Sequence, residues 1–483
     1  MDIRLLEPAS VWKYFGELNA VPRPSKKEER VIAFMLDFGK SLGLETFRDR
    51  VGNVIIRKPA TQGMESRKTV VLQSHLDMVH QKNNTTDFNF EEQGIEMYVD
   101  GDWVRARGTT LGADNGMGVA AIMAVLASKD IPHPSLEALF TIDEETGMTG
   151  AKGLESGVLK GEILLNLDTE EDDEIDIGCA GGIDVTASGT YPQKDLPQGA
   201  KTYRLLVKGL QGGHSGMDIH RGLGNANKIL NRLLYTASLA GELHLGEIDG
   251  GGLRNAIPRE STAYFGLTQG NEQVLKVMND LSVDIRKELE PTEPNLQILV
   301  ESYMYAGQVM EKKDFDMLLR AVYGVHNGVF AMSRAIDGLV ETSNNLARVE
   351  VRDGVISINC LTRSSVDSAK MDLAHGLTSV FSLAGYEVNL SGDYPGWTPD
   401  PDSEILKVLI EKYKVLFHEE PRVVSCHAGL ECGILGGHYP GMDMISFGPT
   451  IKGAHSPDEK VQISSVQKFW KFLKKILEEI PEA

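Results

Sequence analysis

Seven residues far apart in the chain carry the donor atoms needed to hold metal ions and to move a proton: His75, Asp77, Asp114, Glu144, Glu145, Asp168 and His455. The apolar run Val70-Val71-Leu72-Gln73-Ser74 ends in His75-Leu76-Asp77, a strand-like stretch that stops at an imidazole and a carboxylate. Residues two apart on a strand share a face, so Asp77 is placed to orient a ligating His75. Leu136 to Ile142 ends in Asp143-Glu144-Glu145, and Ile163 to Leu167 ends in Asp168. Asp114 lies in the glycine-rich loop Gly108 to Gly116, and His455 lies in Gly453-Ala454-His455-Ser456-Pro457-Asp458. Two imidazoles with several carboxylates suit Zn²⁺, with Mn²⁺ or Co²⁺ as substitutes, and exceed what one tetrahedral ion needs.

A carboxylate can bridge two ions about 3.5–4 Å apart. The donors then divide evenly, with Asp114 bridging, His75 and Asp168 on one ion, and Glu145 and His455 on the other. A water held between two such ions has its pKa pulled from 15.7 toward about 7, which yields a hydroxide able to attack a peptide carbonyl. Adjacent residues at a strand end diverge, so only one of Glu144 and Glu145 need hold metal; the other is free to act as general base and acid. Taken singly, each residue has an ordinary reading: Glu144-Glu145 as a solvated acidic turn, Asp168 as the head of the acidic run Glu170 to Asp173, His455 as a loop residue. Their conjunction at strand ends is what argues for chemistry.

Two further stretches bear on function. Gly212-Gly213-His214-Ser215-Gly216 puts an imidazole in a flexible turn, either a plain tight turn or a hydrogen-bond donor carried to substrate by domain closure. Gly222-Leu223-Gly224-Asn225-Ala226-Asn227-Lys228 resembles a dinucleotide loop superficially, but it lacks a third glycine and no clear strand precedes it, which excludes that reading.

The elements that must position these residues alternate as strand, helix, strand. That order implies an α/β fold whose mostly parallel sheet has helices on both faces. Ligands bind such sheets outside the carboxyl ends of the strands. Ser25-Lys26-Lys27-Glu28 has the spacing of a capping box and opens an amphipathic helix to about Leu42. From Ile183 to about Asp393 the texture shifts to extended segments alternating with helices, as in an inserted α+β lid domain. Glu404 onward resumes the first pattern and ends in an amphipathic helix, Ser464 to Ile480. The boundaries are therefore residues 1–182 and 395–483 for a catalytic domain in two segments, and 183–394 for the lid and dimerisation domain.

The chain has 483 residues, with 49 Lys and Arg against 69 Asp and Glu, a net charge of −20. That balance excludes nucleic acid and anionic membrane surfaces as general partners. The N-terminus shows no apolar signal region, and the longest apolar run, Met117 to Ala127, is too short to span a bilayer. The cysteines, Cys179, Cys360, Cys426 and Cys432, are sparse and scattered, as expected in a reducing cytoplasm, and Cys426 and Cys432, which form no CxxC arrangement, read as buried thiols.

Read together and in order, Ser74-His75-Leu76-Asp77, Gly112-Ala113-Asp114-Asn115-Gly116, Glu144-Glu145, Asn166-Leu167-Asp168, Gly212 to Gly216, Arg254-Asn255-Ala256-Ile257-Pro258 and Gly453 to Asp458 resemble the dinuclear-zinc metallopeptidases that include aminoacylase and the carboxypeptidase-G type. Arg57 to Ala60, Lys82 to Asn84, Cys179 to Asp184, Gly222 to Lys228 and His427 to Gly433 resemble one branch, the aminoacylhistidine dipeptidases. The resemblance runs nearly end to end. It implies two Zn²⁺ per chain held by His75, Asp114, Asp168, Glu145 and His455, with Glu144 as catalytic base and Asp77 beside the first ligand. It implies that His214 is the lid histidine that, in dimeric relatives, reaches the neighbouring subunit's active site and polarises the scissile carbonyl. Asn255 and Arg363 fall on lid positions that hold the substrate's backbone and C-terminal carboxylate. The expected activity is hydrolysis of unblocked dipeptides, including Xaa-His and β-alanyl-histidine, by a cytoplasmic homodimer. The rivals are an aminoacylase or tripeptidase of the same superfamily and a metal-stabilised binding protein without catalysis.

Overall fold

The structure, a computed structural model, describes residues 2–268 and 270–483. Its internal contacts divide it into two units: Met1–Gly178 with Trp397–Ser425 and Leu430–Ala483, and Cys179–Gly396 with Cys426–Gly429.

The first unit is built on an eight-stranded sheet in the order Glu45–Arg48, Val54–Lys58, Leu136–Thr141, Val70–His75, Ile163–Asn166, Asp443–Ser446, Glu174–Cys179, Arg422–Cys426. The four strands from Leu136–Thr141 to Asp443–Ser446 run parallel, and their neighbours on either side, Val54–Lys58 and Glu174–Cys179, pair antiparallel. The strands Val70–His75, Leu136–Thr141 and Ile163–Asn166 are buried at every position. Burial on both faces explains their continuous apolar runs, which lack the alternation of a half-exposed strand. The helix Ala113–Ala127 is buried along nearly its whole length, and its alanines and glycines permit close approach to the sheet. A separate four-stranded sheet joins Met97–Asp100, Trp103–Ala106, Lys460–Gln462 and Ile451–Lys452. The turn between its last two strands carries His455, in a left-handed conformation at φ 65°.

One expectation fails at the first amphipathic helix. It spans Glu29–Ser41 with Glu28 at the cap position, and no side chain caps it. Ser25 gives its hydroxyl to Asp77 Oδ2 at 2.8 Å. A buried carboxylate competes better for that donor than a helix end whose amides can reach water.

The second unit contains a nine-stranded sheet. Its main path runs Gln297–Ser302, Lys201–Lys208, Ser261–Leu267, Leu243–Gly251, Val340–Arg352, Val355–Ser364, Gly181–Thr190, Glu387–Tyr394, with Gly328–Met332 paired off this path. These pairings are antiparallel, so the expected α+β insertion forms one continuous sheet. The Gly222 to Lys228 stretch has a structural part in it. Asn225 caps the helix Ala226–Ala240 by accepting from the amides of Asn227 and Lys228. The Lys228 ammonium donates to the carbonyls of Val322, Tyr323 and Val325.

Candidate active site

The carboxyl ends of the parallel strands converge on one cluster in the first unit. His75 ends its strand, Asp168 lies two residues beyond Ile163–Asn166, and Glu144 and Glu145 follow Leu136–Thr141. Asp114 stands between the two imidazoles. Its Oδ1 is 3.2 Å from His75 Nε2, and its Oδ2 is 3.1 Å from His455 Nε2. His75 Nε2 also lies 3.5 Å from Asp168 Oδ1, and His455 Nε2 lies 3.0 Å from Glu145 Oε2. Each half of the cluster thus holds one imidazole, one carboxylate of its own and one oxygen of Asp114.

The electrostatics fit divalent cations. Glu145 Oε1 is buried with no hydrogen-bond partner, and Asp168 Oδ1 is buried with His75 Nε2 no closer than 3.5 Å; oxygens left so pay a desolvation cost that a cation would offset. Asp114 and Glu145 push His455 up to about 11. Burial opposes charge on His75, yet Asp168, Asp114 and Asp77 raise its pKa well above the ordinary imidazole value. The carboxylates thus favour positive charge at this centre, the charge that a metal ion would supply to neutral ligating imidazoles. Donor atoms of His75, Asp114 and Glu145 lie within 4.8 Å of one another, close enough to share an ion. The residues present fit a metal centre.

Asp77 is fully buried behind His75. His75 Nδ1 faces the Asp77 carbonyl at 3.1 Å and its carboxylate at 3.4 Å. That carboxylate also accepts from the amides of Glu144 at 3.0 Å and Glu145 at 3.3 Å. Asp77 therefore orients an imidazole and fixes the turn that presents both glutamates. Burial raises Glu144 well above the usual carboxylate range, with Asp168, Glu145 and Glu431 adding to the effect against His75.

Beneath the cluster runs a buried hydrogen-bond chain that the sequence did not disclose. Glu431 accepts from Thr141 Oγ1 at 2.6 Å and from Gln73 Nε2 at 2.7 Å. Gln73 accepts from Asn166 at 2.5 Å, Asn166 from Ser446 at 2.5 Å, and Ser446 contacts Thr169 at 2.8 Å. Thr169 in turn shares a 2.8 Å hydrogen bond with Asp176. The chain crosses five neighbouring strands or their ends and locks their register one layer below the candidate ligands. Burial pushes Glu431 up to about 8 and Asp176 up to about 7. Gln73 and Asn166 precede His75 and Asp168 by two residues, so polar residues at i−2 inside apolar strands were the available signal. Glu431 stands in the His427 to Gly433 motif without any spacing that marks it.

The second unit holds a cluster of opposite character. His214 Nδ1 accepts from the amides of Gly216 and Met217 at 3.2 and 3.1 Å, which leaves the proton on Nε2 as a donor. Burial and then the Arg363 charge lower its pKa, so it stays neutral. Arg363, 5% exposed, donates to Tyr394 Oη at 2.9 Å and approaches Ser215 Oγ at 3.5 Å. Among the described residues it forms no ion pair. Asn255 is exposed, and its carbonyl accepts from the Ser215 amide at 2.7 Å. His427, which no spacing in the sequence marks as a site residue, is buried with Nε2 2.8 Å from Ser343 Oγ. The structure thus gathers His75, Asp77, Asp114, Glu144, Glu145, Asp168 and His455 in the first unit. It places His214, Asn255 and Arg363 in the second.

Comparison with known proteins adds the following. The model of peptidase family M20/M25/M40 matches residues 71–479. The chain is 45% identical over 481 residues to the cytosol non-specific dipeptidase of Escherichia coli, covering 99% of both chains. It is similar to the crystal structure of aminoacylhistidine dipeptidase from Vibrio alginolyticus, with a TM-score of 0.94 at 45% identity over 100% of this chain and 99% of that one. An aminopeptidase of Bacillus cereus, 16% identical with a TM-score of 0.57 over 98% and 99% of the two chains, shares the fold alone. No helix among the described residues is long and apolar enough to cross a membrane.

Proposed function

The chain belongs to peptidase family M20/M25/M40 and is a peptide hydrolase, and from that premise we propose that it is a dinuclear-zinc dipeptidase acting on unblocked dipeptides, including Xaa-His and β-alanyl-histidine. The names borne by the Escherichia coli and Vibrio relatives support the substrate class. The observation that carries the two-ion reading is Asp114, whose two oxygens each face a different imidazole with its own carboxylate. His75, Asp168 and one oxygen of Asp114 would hold the first ion; His455, Glu145 and the other oxygen would hold the second. Two Zn²⁺ bound there supply Lewis acidity to a peptide carbonyl and acidify a water.

The remaining work falls to side chains. Glu144, turned toward the cluster by the Asp77 carboxylate beneath its amide, takes the proton of the attacking water and passes it to the leaving amine. Asp77 keeps His75 in the tautomer whose Nε2 is free to ligate. His214 offers its Nε2–H to the carbonyl oxygen as negative charge develops there. Arg363 binds the C-terminal carboxylate, and Asn255 the substrate backbone. The protein works as a cytoplasmic homodimer in this proposal.

The test is hydrolysis of Gly-His, β-alanyl-histidine and a panel of dipeptides, tripeptides and N-acetyl amino acids by metal-free protein after return of Zn²⁺, Mn²⁺ or Co²⁺. Dipeptide turnover restored at two ions per chain is the expected result. Faster turnover of N-acetyl amino acids or tripeptides would replace the dipeptidase reading with an aminoacylase or tripeptidase. Full metal occupancy without hydrolysis of any substrate would leave a binding protein. Sedimentation of the holoprotein as a monomer would remove the dimer.

A further inference from the structure

A strand end and two loops carry His75, Asp114 and His455, and two buried charged side chains that the proposed chemistry does not use tie them together. Glu459 follows His455 by four residues and is 2% exposed. Its Oε2 accepts from the amides of Leu111 at 2.6 Å and Gly112 at 2.9 Å, and its Oε1 from those of Ala113 at 2.7 Å and Asp114 at 3.2 Å. One carboxylate thus takes up four consecutive N–H groups of the loop that delivers Asp114. Arg23, 1% exposed, holds the carbonyl side of the same loop. Its Nη2 donates to the Gly112 carbonyl at 2.5 Å, and its Nη1 to the carbonyls of Leu76 and Asp77 at 3.0 and 3.1 Å. Gly112 is the residue the arrangement requires. Its φ is +69°, and a Cβ there would meet Arg23 Nη2 at 2.6 Å and Met78 Sδ at 2.8 Å.

The geometry points to Glu459 and Arg23 as positioning residues that grip the Gly112 peptide from its two sides and set the spacing of His75, Asp114 and His455, and with it the affinity of the site for divalent cations. Surface loops are softer than strands, and two of these three ligands sit on loops. Charge-assisted hydrogen bonds to buried backbone resist displacement because breaking one leaves a desolvated charge unpaired. A buried guanidinium and a buried carboxylate on opposite sides of one peptide also balance each other, and the Glu459 charge is the strongest of those that stabilise Arg23. Both bond the backbone of the segments that carry the ligands, so both act through the ligands.

This inference rests on the dinuclear reading, and the experiment separates the two. Zn²⁺ affinity and stoichiometry are measured by chelator competition on the full-length wild type, Glu459→Gln and Arg23→Lys, together with the thermal midpoint of each metal-free protein. Glu459→Gln keeps the shape but turns one acceptor into a donor facing amides. Arg23→Lys keeps the charge but loses the fork that spans two loops. The expected result is two ions per wild-type chain and a loss of affinity of about 10- to 100-fold in each variant, the range for outer groups that orient metal ligands. At saturating Zn²⁺ the loss should lie in kcat, with KM for a dipeptide near the wild-type value. A purely structural role would lower the metal-free midpoint and leave Zn²⁺ affinity unchanged; that outcome overturns the clamp alone. Wild-type protein that binds fewer than two ions overturns the dinuclear reading and the clamp with it. Should Glu459→Gln fail to fold, Arg23→Lys and Glu459→Asp, which keeps its charge but is one methylene too short to meet all four amides, carry the same comparison.

Discussion

The first unit's cluster and the second unit's cluster are opposites in charge and in how they are built. In the first, the carboxylates of Asp77, Asp114, Glu144, Glu145 and Asp168 surround two imidazoles at the carboxyl ends of a parallel sheet. In the second, Arg363, His214 and His427 lie among the hydroxyls of Ser215, Ser343 and Tyr394 on an antiparallel sheet and its loops. In the proposed function the first would collect cations and the second would present N–H and O–H donors to anions. Hydrolysis as proposed would draw on both kinds of group, since bound cations would generate the nucleophile and donors would take the developing oxyanion and the terminal carboxylate.

Substitutions sharpen this contrast if each affects only its own side of the chemistry. Glu144→Gln should lower kcat by about 10³- to 10⁴-fold, toward the upper end for loss of general acid–base catalysis, while both Zn²⁺ ions stay bound. Steady-state kinetics beside metal analysis reads both, and near-normal turnover would take Glu144 out of proton transfer. His214→Ala should cost about 10²- to 10³-fold in kcat, as for an oxyanion donor, again with metal content intact. If His214→Ala loses metal instead, the division between the two clusters is wrong.

Arg363→Lys probes the anion side more gently. The charge survives, but the planar fork held between Tyr394 and Ser215 does not. KM for dipeptides should rise about tenfold with kcat little changed, the signature of lost uniform binding. A fall in kcat with unchanged KM would move Arg363 from holding the carboxylate to shaping the transition state.

How much of each cluster was legible follows from how it is built. Strand ends announce themselves. On a parallel sheet, an apolar run that stops at His75, at Glu144-Glu145 or at Asp168 delivers those groups to the edge where ligands bind. The fold class and the gathering of the first cluster could therefore be read from period and position. Arg23, Glu431 and Glu459 could not. Each is a single charged residue whose partners are backbone amides, carbonyls or neutral side chains distant in sequence, and no periodicity encodes those. The failed capping box at Ser25 has the same origin. Its local signal was sound, but the partner that won its hydroxyl, Asp77, lies 52 residues away. In the second unit His214 stood out only as an imidazole in a glycine-rich turn and Arg363 only through the family resemblance, since antiparallel strands give no rule for where a ligand sits.

The smallest expected effect concerns His427, which tests whether the second cluster is built to stay uncharged at its imidazoles. His427 is 7% exposed, and a Cβ on Gly216 would lie 2.0 Å from its carbonyl, so the segment is packed tightly against the His214 loop. Burial first, then the Arg363 charge, pushes its pKa down to about 3. An unfolded chain protonates this residue near pH 6.5. Between those values the unfolded state binds a proton that the folded state refuses, so stability is fully present above about pH 6.5 and falls as pH drops toward 3, by at most about 1.4 kcal/mol per pH unit. Hydrogen exchange of the Val340–Arg352 amides, followed from pH 7 to pH 4 and corrected for intrinsic rates, reads this locally, because Ser343 on that strand holds His427 Nε2. His427→Gln keeps a hydrogen-bonding group toward Ser343 and has no proton to gain, so its protection should decline less steeply over the same range. Parallel slopes for wild type and variant would show that the pH sensitivity of this strand comes from elsewhere, and that a cationic imidazole is tolerated beside Arg363 after all.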